Sequence, residues 1–241
     1  MPRPRILLVH GSVANGDVTW AAQRPLAGRF ELVVPNRRGF PPGPDVSSVD
    51  FEDEARWLEQ FVRPGTHLVG HSYGGVISLF AAAWFADRLR SLTVIEPPAF
   101  KLAAGNPTAD AFVRDARRLW EQGSHDPAVF LRSFLEAVGS QVPPGAFSDG
   151  MLQGARTLMV ERYPWDADPP LADIAAARMP TLVVSGGHSA AFDAVCDVIE
   201  TRLAAERAVL PGAGHSVQRL REPFNAVLED FVERADRDSA V

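Results

Sequence analysis

Ser72 stands in Gly70-His71-Ser72-Tyr73-Gly74, a Gly-x-Ser-x-Gly pattern preceded by the apolar pair Leu68-Val69 and followed by Val76 to Ala83, which is apolar on almost every side. That context suits a short buried strand turning sharply into a buried helix. A serine at such a turn is forced into a strained backbone conformation, and the flanking glycines remove side chains that would collide across it. Its hydroxyl is left at the helix N-terminus, where unpaired N–H groups favour negative charge. The pattern therefore reads as a nucleophile rather than as a glycine-tightened structural turn.

A serine nucleophile at neutral pH needs a base, and the base needs a partner that holds its tautomer. His215 is the candidate base. It follows Leu210-Pro211-Gly212-Ala213-Gly214, a glycine-rich loop between the last strand and the last helix, and its chain order behind the serine fits this kind of turn. A solvated loop histidine is the plainer alternative. His67 at a strand start, His71 inside the turn and His125 are weaker candidates. The oxyanion that forms during attack needs backbone N–H donors. The residue after the nucleophile, Tyr73, supplies one, and Ser12 in the loop His10-Gly11-Ser12-Val13 is placed to supply the other.

Positioning these groups requires a sheet. Ile6–Val9, Glu31–Val34, His67–Val69, Leu92–Ile95, Thr181–Val184 and Arg207–Leu210 read as strands, most of them continuous apolar runs suited to a mostly parallel sheet covered on both faces. Phe51–Phe61 reads as a helix with acidic residues in its first turn, and the final helix carries Phe224, Val227, Leu228, Phe231 and Val232 on one stripe. The alternation implies a doubly wound α/β architecture. Between Pro97 and Ala175 the rhythm breaks into helical patterns at 109–121, 128–138 and 152–163, with a turn-rich 141–150, and no convincing strand. This stretch reads as a helical cap, residues 98–175, inserted into a core of residues 1–97 and 176–241. Its large apolar side chains, among them Phe112, Trp120, Phe134 and Trp165, suit cap packing and a pocket wall. The tail after Glu233 reads as frayed.

His10-Gly11, Trp20, Pro35-Asn36-Arg37-Arg38-Gly39, Gly70 to Gly75 and Gly212 to His215 together resemble the α/β-hydrolase fold superfamily over nearly the whole chain outside the insertion. The resemblance implies an eight-stranded, mostly parallel sheet, a helical cap after the sixth strand, and catalysis by a serine triad. Many relatives carry aspartate where Asn36 stands, a position held to be structural. Relatives also place the triad acid in a Gly-x-x-Asp turn after the seventh strand, and here that turn is Gly186-Gly187-His188-Ser189, with serine at the acid position.

Two carboxylates can replace the missing aspartate. Glu96 follows the strand Leu92–Ile95 and so reaches the C-terminal edge of the sheet, where α/β folds assemble sites. Pro97-Pro98 should keep it extended, with a defined side-chain direction. Asp193, at the start of a helix, is the alternative acid, although an aspartate there commonly serves as a cap or dipole partner.

The net charge of -6, without a basic stripe, argues against nucleic acid. The single cysteine, Cys196, makes no internal disulfide, and no Cys/His cluster has metal spacing, so neither metal nor cofactor is expected. Ile6–Val9 is too short for a signal peptide and no run reaches membrane-spanning length, which suits a cytoplasmic protein, with secretion by another route left open. The expected function is hydrolysis of an ester, lactone or thioester of a moderately apolar small molecule. A serine in place of aspartate argues against the aspartyl-ester chemistry of dehalogenases and epoxide hydrolases in the superfamily. Carbon–carbon bond hydrolysis, cofactor-free peroxidation and a non-catalytic binding protein remain alternatives; a purely structural role fits poorly, and oligomeric state is open.

Overall fold

The computed structural model describes residues 3–238. Six strands form one parallel sheet: β1 (Arg5–Val9), β2 (Glu31–Val33), β3 (Thr66–His71), β4 (Leu89–Ile95), β5 (Thr181–Ser185) and β6 (Glu206–Val209), in the order β2-β1-β3-β4-β5-β6. These are the six runs read from the sequence. The eight strands implied by the family resemblance are not found among the described residues, which form six.

Nine α-helices are described: α1 (Gly16–Thr19), α2 (Phe51–Trp57), α3 (Tyr73–Trp84), α4 (Pro107–Gln122), α5 (Pro127–Ala137), α6 (Asp149–Met159), α7 (Leu171–Ala176), α8 (Ala190–Leu203) and α9 (Glu222–Asp238). The helix expected over 51–61 begins as α2, capped by the Asp50 carboxylate on the Glu52 and Asp53 N–H groups, and tightens to a 3₁₀ turn over Leu58–Phe61. α6 starts earlier than its apolar pattern suggests because Ser148 caps it by accepting from the Met151 N–H. α9 runs past Glu233, and Arg234 there pairs with Glu206 and Asp230. The expected fraying is therefore not seen up to 238; residues 239–241, like residues 1–2, lie outside the described residues.

Strand periodicity divides the core. Leu7, Val9, Leu68, Leu92, Val94 and Val183 pack on one face with α2, α3 and α8, whereas Ile6, Leu8, Val69, Leu182 and Val184 face the opposite side with Phe224, Leu228 and Phe231 of α9. Successive side chains of a strand point to opposite faces, so an unbroken apolar run fills both layers. Burying each such side chain contributes about 1.5–3 kcal/mol. Residues 98–175 contain α4 to α6, all but the last residue of α7, and 3₁₀ turns but no strand, apart from an isolated bridge between Val49 and Glu161. Phe130, Leu131, Leu135 and Phe147 of this segment form an apolar cluster that also takes in Val13 from the loop after β1.

Candidate active site

β3 ends at His71 and α3 starts at Tyr73, so Ser72 alone makes the turn, at φ 54° and ψ -125°. Its neighbours explain why the strain persists. A Cβ on Gly70 would lie 2.3 Å from Ser78 Oγ, and one on Gly74 would lie 2.4 Å from the Val9 carbonyl oxygen. Strand and helix approach too closely for any side chain at either position. The Ser72 N–H donates to the Ile95 carbonyl at 2.9 Å, tying the turn to the end of β4.

Ser72 Oγ lies 2.9 Å from His215 Nε2, and His215 Nδ1 lies 2.7 Å from Glu96 Oε2. All three are buried. Glu96 extends the ladder by donating its N–H to the Val184 carbonyl at 3.0 Å, at the C-terminal edge of β4. Its backbone is not extended as Pro97 led us to expect: φ is 44°. The proline keeps the residue out of the right-handed helical region, and the left-handed conformation accompanies a carboxylate whose Oε1 accepts from the Gly186 N–H at 2.7 Å. Burial opposes ionisation of this carboxyl, but hydrogen bonds from His188, His215 and Gly186, with the charge of His215, outweigh it and hold the pKa down at about 2.

Asp193 is not brought to His215. Its Oδ1 accepts from Ser185 Oγ at 2.6 Å and from Arg207 Nη2 at 2.9 Å. Ser12 and Tyr73 line one cavity together with Ser72 and His215. Tyr73 is the first residue of α3, where an N–H has no acceptor within its own helix. Ser12 precedes Val13, which adopts φ 77°.

The cavity encloses about 240 Å³. Phe112, Leu119, Trp120, Phe134 and Trp165, all within residues 98–175, wall it together with Phe192 of α8, whose ring meets Phe112 at a centroid distance of 5.3 Å. Trp120 and Trp165 meet edge to face, ring centroids 5.1 Å apart. Such a lining suits a flat, apolar group.

Several contacts around the site were not anticipated. His188, in the turn where relatives carry the acid, places Nδ1 3.2 Å from Glu96 Oε1 and Nε2 3.1 Å from the Val138 carbonyl. Two acceptors, one on each ring nitrogen, favour the imidazolium, and the Glu96 contact raises the His188 pKa. His71 Nε2 donates to the His215 backbone carbonyl at 2.9 Å, fixing the histidine loop, and burial keeps His71 neutral with its pKa lowered to about 3. Arg37 is fully buried: Nε binds Glu54 Oε2 at 2.6 Å and Nη2 binds Glu161 Oε1 at 2.7 Å. Ser12 Oγ donates to the other Glu161 oxygen at 2.5 Å. Burial disfavours the charge on Arg37, but the two glutamates hold it protonated, whereas burial raises the pKa of Glu161. Asn36 accepts from the Gly16 N–H at 2.9 Å, a loop-bracing contact that agrees with a structural role at that position.

Among the described residues no cluster of three or more His, Cys, Asp or Glu side chains could hold a metal ion, and no helix is long and apolar enough to cross a membrane. Cys196 is buried, and burial pushes its thiol up to about 12.

Residues 6–228 match the family model described as the alpha/beta hydrolase family. A 2-(acetamidomethylene)succinate hydrolase of Mesorhizobium japonicum is 27% identical over 239 residues, covering 90% of this chain and 83% of that protein. The crystal structure of NosK from Streptomyces actuosus superposes with a TM-score of 0.68 at 26% identity, covering 97% of this chain and 99% of that one. A carboxylesterase structure from Nitrososphaera gargenis reaches a TM-score of 0.69 at 16% identity, covering 98% and 92% of the two chains, and speaks for the fold alone. The chain is an enzyme of the alpha/beta hydrolase family.

Proposed function

We propose that the protein hydrolyses an ester, lactone or thioester of a small, moderately apolar molecule through an acyl-enzyme, with Ser72 as nucleophile, His215 as base and Glu96 as the acid behind it. The observation that carries this reading is the unbroken line Ser72 Oγ, His215 Nε2, His215 Nδ1, Glu96 Oε2, with contacts of 2.9 and 2.7 Å, opening on an aromatic cavity.

In the first step Ser72 Oγ attacks the carbonyl carbon and its proton passes to His215 Nε2. The backbone N–H groups of Ser12 and Tyr73 receive the developing oxyanion, as preorganised donors do in acyl transfer. His215 returns the proton to the departing alcohol or thiol as the bond to it breaks, leaving the acyl group on Ser72. A water then gives its proton to the same nitrogen, attacks the acyl carbon, and Ser72 leaves with the proton restored. Glu96, ionised far below neutral pH, stabilises the imidazolium in both halves and keeps Nδ1 protonated. Residues 98–175 act as the cap that walls the acyl group and excludes water.

The test is labelling by a fluorophosphonate probe. Wild type is expected to be labelled at Ser72 under native conditions and Ser72→Ala to remain unlabelled. A wild-type protein that is folded yet unlabelled at Ser72 sinks the hydrolase mechanism and leaves a binding protein on this scaffold.

A further inference from the structure

The cavity above Ser72 has a one-sided polar lining. Its two ordinarily charged side chains apart from His215 are Glu161, which is buried, and the exposed Asp115, which pairs with Arg118 at 3.4 Å; neither lysine nor arginine lines it, and Arg219 lines only the neighbouring cavity that also reaches Ser72 and His215. The nearby polar groups do not redress the balance. Ser12 spends its hydroxyl proton on Glu161 Oε2 at 2.5 Å, so toward the cavity Ser12 Oγ has only lone pairs to offer. Tyr73 donates its hydroxyl to the Arg162 carbonyl at 3.2 Å. Arg37, the cation beside Glu161, is 1% exposed and is held by Glu54, Glu161 and the Gly11 carbonyl. One guanidinium between two carboxylates leaves a surplus negative charge when both are ionised.

Glu161 is tied to this place from two sides. It follows the end of α6 in the inserted segment, beside the bridge to Val49, and it grips the side chain of Ser12 next to the reacting centre. A carboxylate has about four lone-pair sites, of which Arg37 and Ser12 use one each. Acceptor capacity therefore remains beside the place where the carbonyl must sit, while no lysine or arginine donor stands in this lining, and its unpartnered side-chain donors are the buried, neutral indole N–H groups of Trp120 and Trp165.

From this arrangement we infer that the enzyme takes aromatic or aliphatic acyl groups that are neutral or carry an N–H, O–H or ammonium donor next to the scissile carbonyl, and rejects acyl groups bearing a further carboxylate. The inference rests on acyl transfer at Ser72 for the position of the carbonyl. A like charge roughly 5 Å from Glu161, at an effective dielectric constant near 20, weakens binding by about 100-fold or more.

Binding separates this inference from the hydrolase reading. Three amides that differ only beside the carbonyl serve as probes: 3-phenylpropanamide, phenylalaninamide and 2-benzylmalonamic acid, neutral, ammonium-bearing and carboxylate-bearing. Their dissociation constants for Ser72→Ala are read by tryptophan fluorescence, because Trp120 and Trp165 line the cavity. The carboxylate amide is expected to bind about 100-fold more weakly than the neutral one, and the ammonium amide at least as tightly as the neutral one. Adding Glu161→Gln, which can keep hydrogen bonds to Ser12 and Arg37 while removing the charge, is expected to shrink the neutral-to-carboxylate gap to about tenfold or less. A carboxylate amide that binds within threefold of the neutral one, a gap unchanged by Glu161→Gln in a folded protein, or no binding by any of the three overturns the inference. If Glu161→Gln does not fold, the order measured with Ser72→Ala alone decides. The expected order in a protein whose Ser72 resists the fluorophosphonate supports the charge preference and sinks only the acyl transfer; ester hydrolysis without the charge order does the reverse.

Discussion

Nδ1 of His188 lies 3.2 Å from Oε1 of Glu96, the oxygen that His215 does not use. The turn that carries Ser189 thus supplies a group that holds the Glu96 carboxylate from behind. Glu96 receives His215 on one oxygen and His188 with the Gly186 N–H on the other, so its carboxylate is held in one orientation.

Replacing His188 by alanine is expected to lower kcat by about tenfold, the scale of one hydrogen bond to a charged group, with little change in KM. Its stability cost should follow pH. His188 has a raised pKa in the fold, so its contribution is fully present below the unfolded value of 6.5 and fades as pH rises through the folded value. Glu96, depressed to about 2 from 4.5, contributes above pH 4.5 and loses its contribution as pH falls toward 2. Urea melts of wild type and His188→Ala across pH 4 to 9 should therefore differ most between about pH 4.5 and 6.5 and converge on the alkaline side.

Glu96→Gln should reduce kcat by about 10³–10⁴, because an amide can present a donor to Nδ1 and impose the wrong tautomer on His215. Asp193→Asn should stay within about threefold of wild type, since that carboxylate serves Ser185 and Arg207. Single-turnover rates on one activated ester compare the two directly; a larger loss at Asp193 would reverse the assignment.

Arg37→Met leaves Glu54 and Glu161 buried without their cation and is expected to cost about 3–5 kcal/mol. For a chain of this size that corresponds to a fall of about 10 °C in Tm. The triple change Arg37→Met, Glu54→Gln, Glu161→Gln should recover much of the loss, because it removes the stranded charges as well. Calorimetry on both variants checks the pair, and equal Tm values for the two would show that packing, not charge, sets the cost.

Gly74→Ala should abolish activity and lower stability by about 3 kcal/mol or more, since its Cβ would meet the Val9 carbonyl at 2.4 Å and the His10 carbonyl at 2.5 Å. Backbone oxygens at the end of β1 cannot swing aside as a flexible side chain would. Circular dichroism melts and ester turnover on the same preparation report both effects.

What the sequence revealed and what it hid follow one physical division. The strands were legible because a strand covered on both faces must be apolar without interruption, and Ile6–Val9 or Thr181–Val184 cannot be much else. Ser72 was legible because the turn demands Gly70 and Gly74 at fixed spacing. Glu96 was legible as a carboxylate at a strand end followed by proline, although its positive φ was not, because that depends on Gly186 and Val184 reaching it from another strand. Arg37 stood out only as part of the stretch Pro35 to Gly39. Its burial arises from Glu54 and Glu161, which lie 17 and 124 positions away, and no local pattern announces a partner at that distance. His71 and His188 escaped for the same reason: their contacts cross the sheet edge to segments far along the chain. The two additional strands came from family likeness rather than from any apolar run, and they are the ones the described chain lacks.

α6 presses its backbone onto the loop that bears Ser12: a Cβ at Gly154 would sit 1.9 Å from the Val13 carbonyl oxygen, and Val13 itself is held at φ 77°. α6 and the loop that bears Ser12 are thus one fitted joint rather than two interchangeable modules. A cap grafted from another hydrolase would therefore need a residue without a side chain at this contact and an acid at the position of Glu161, or the graft would reshape the floor it was meant only to roof.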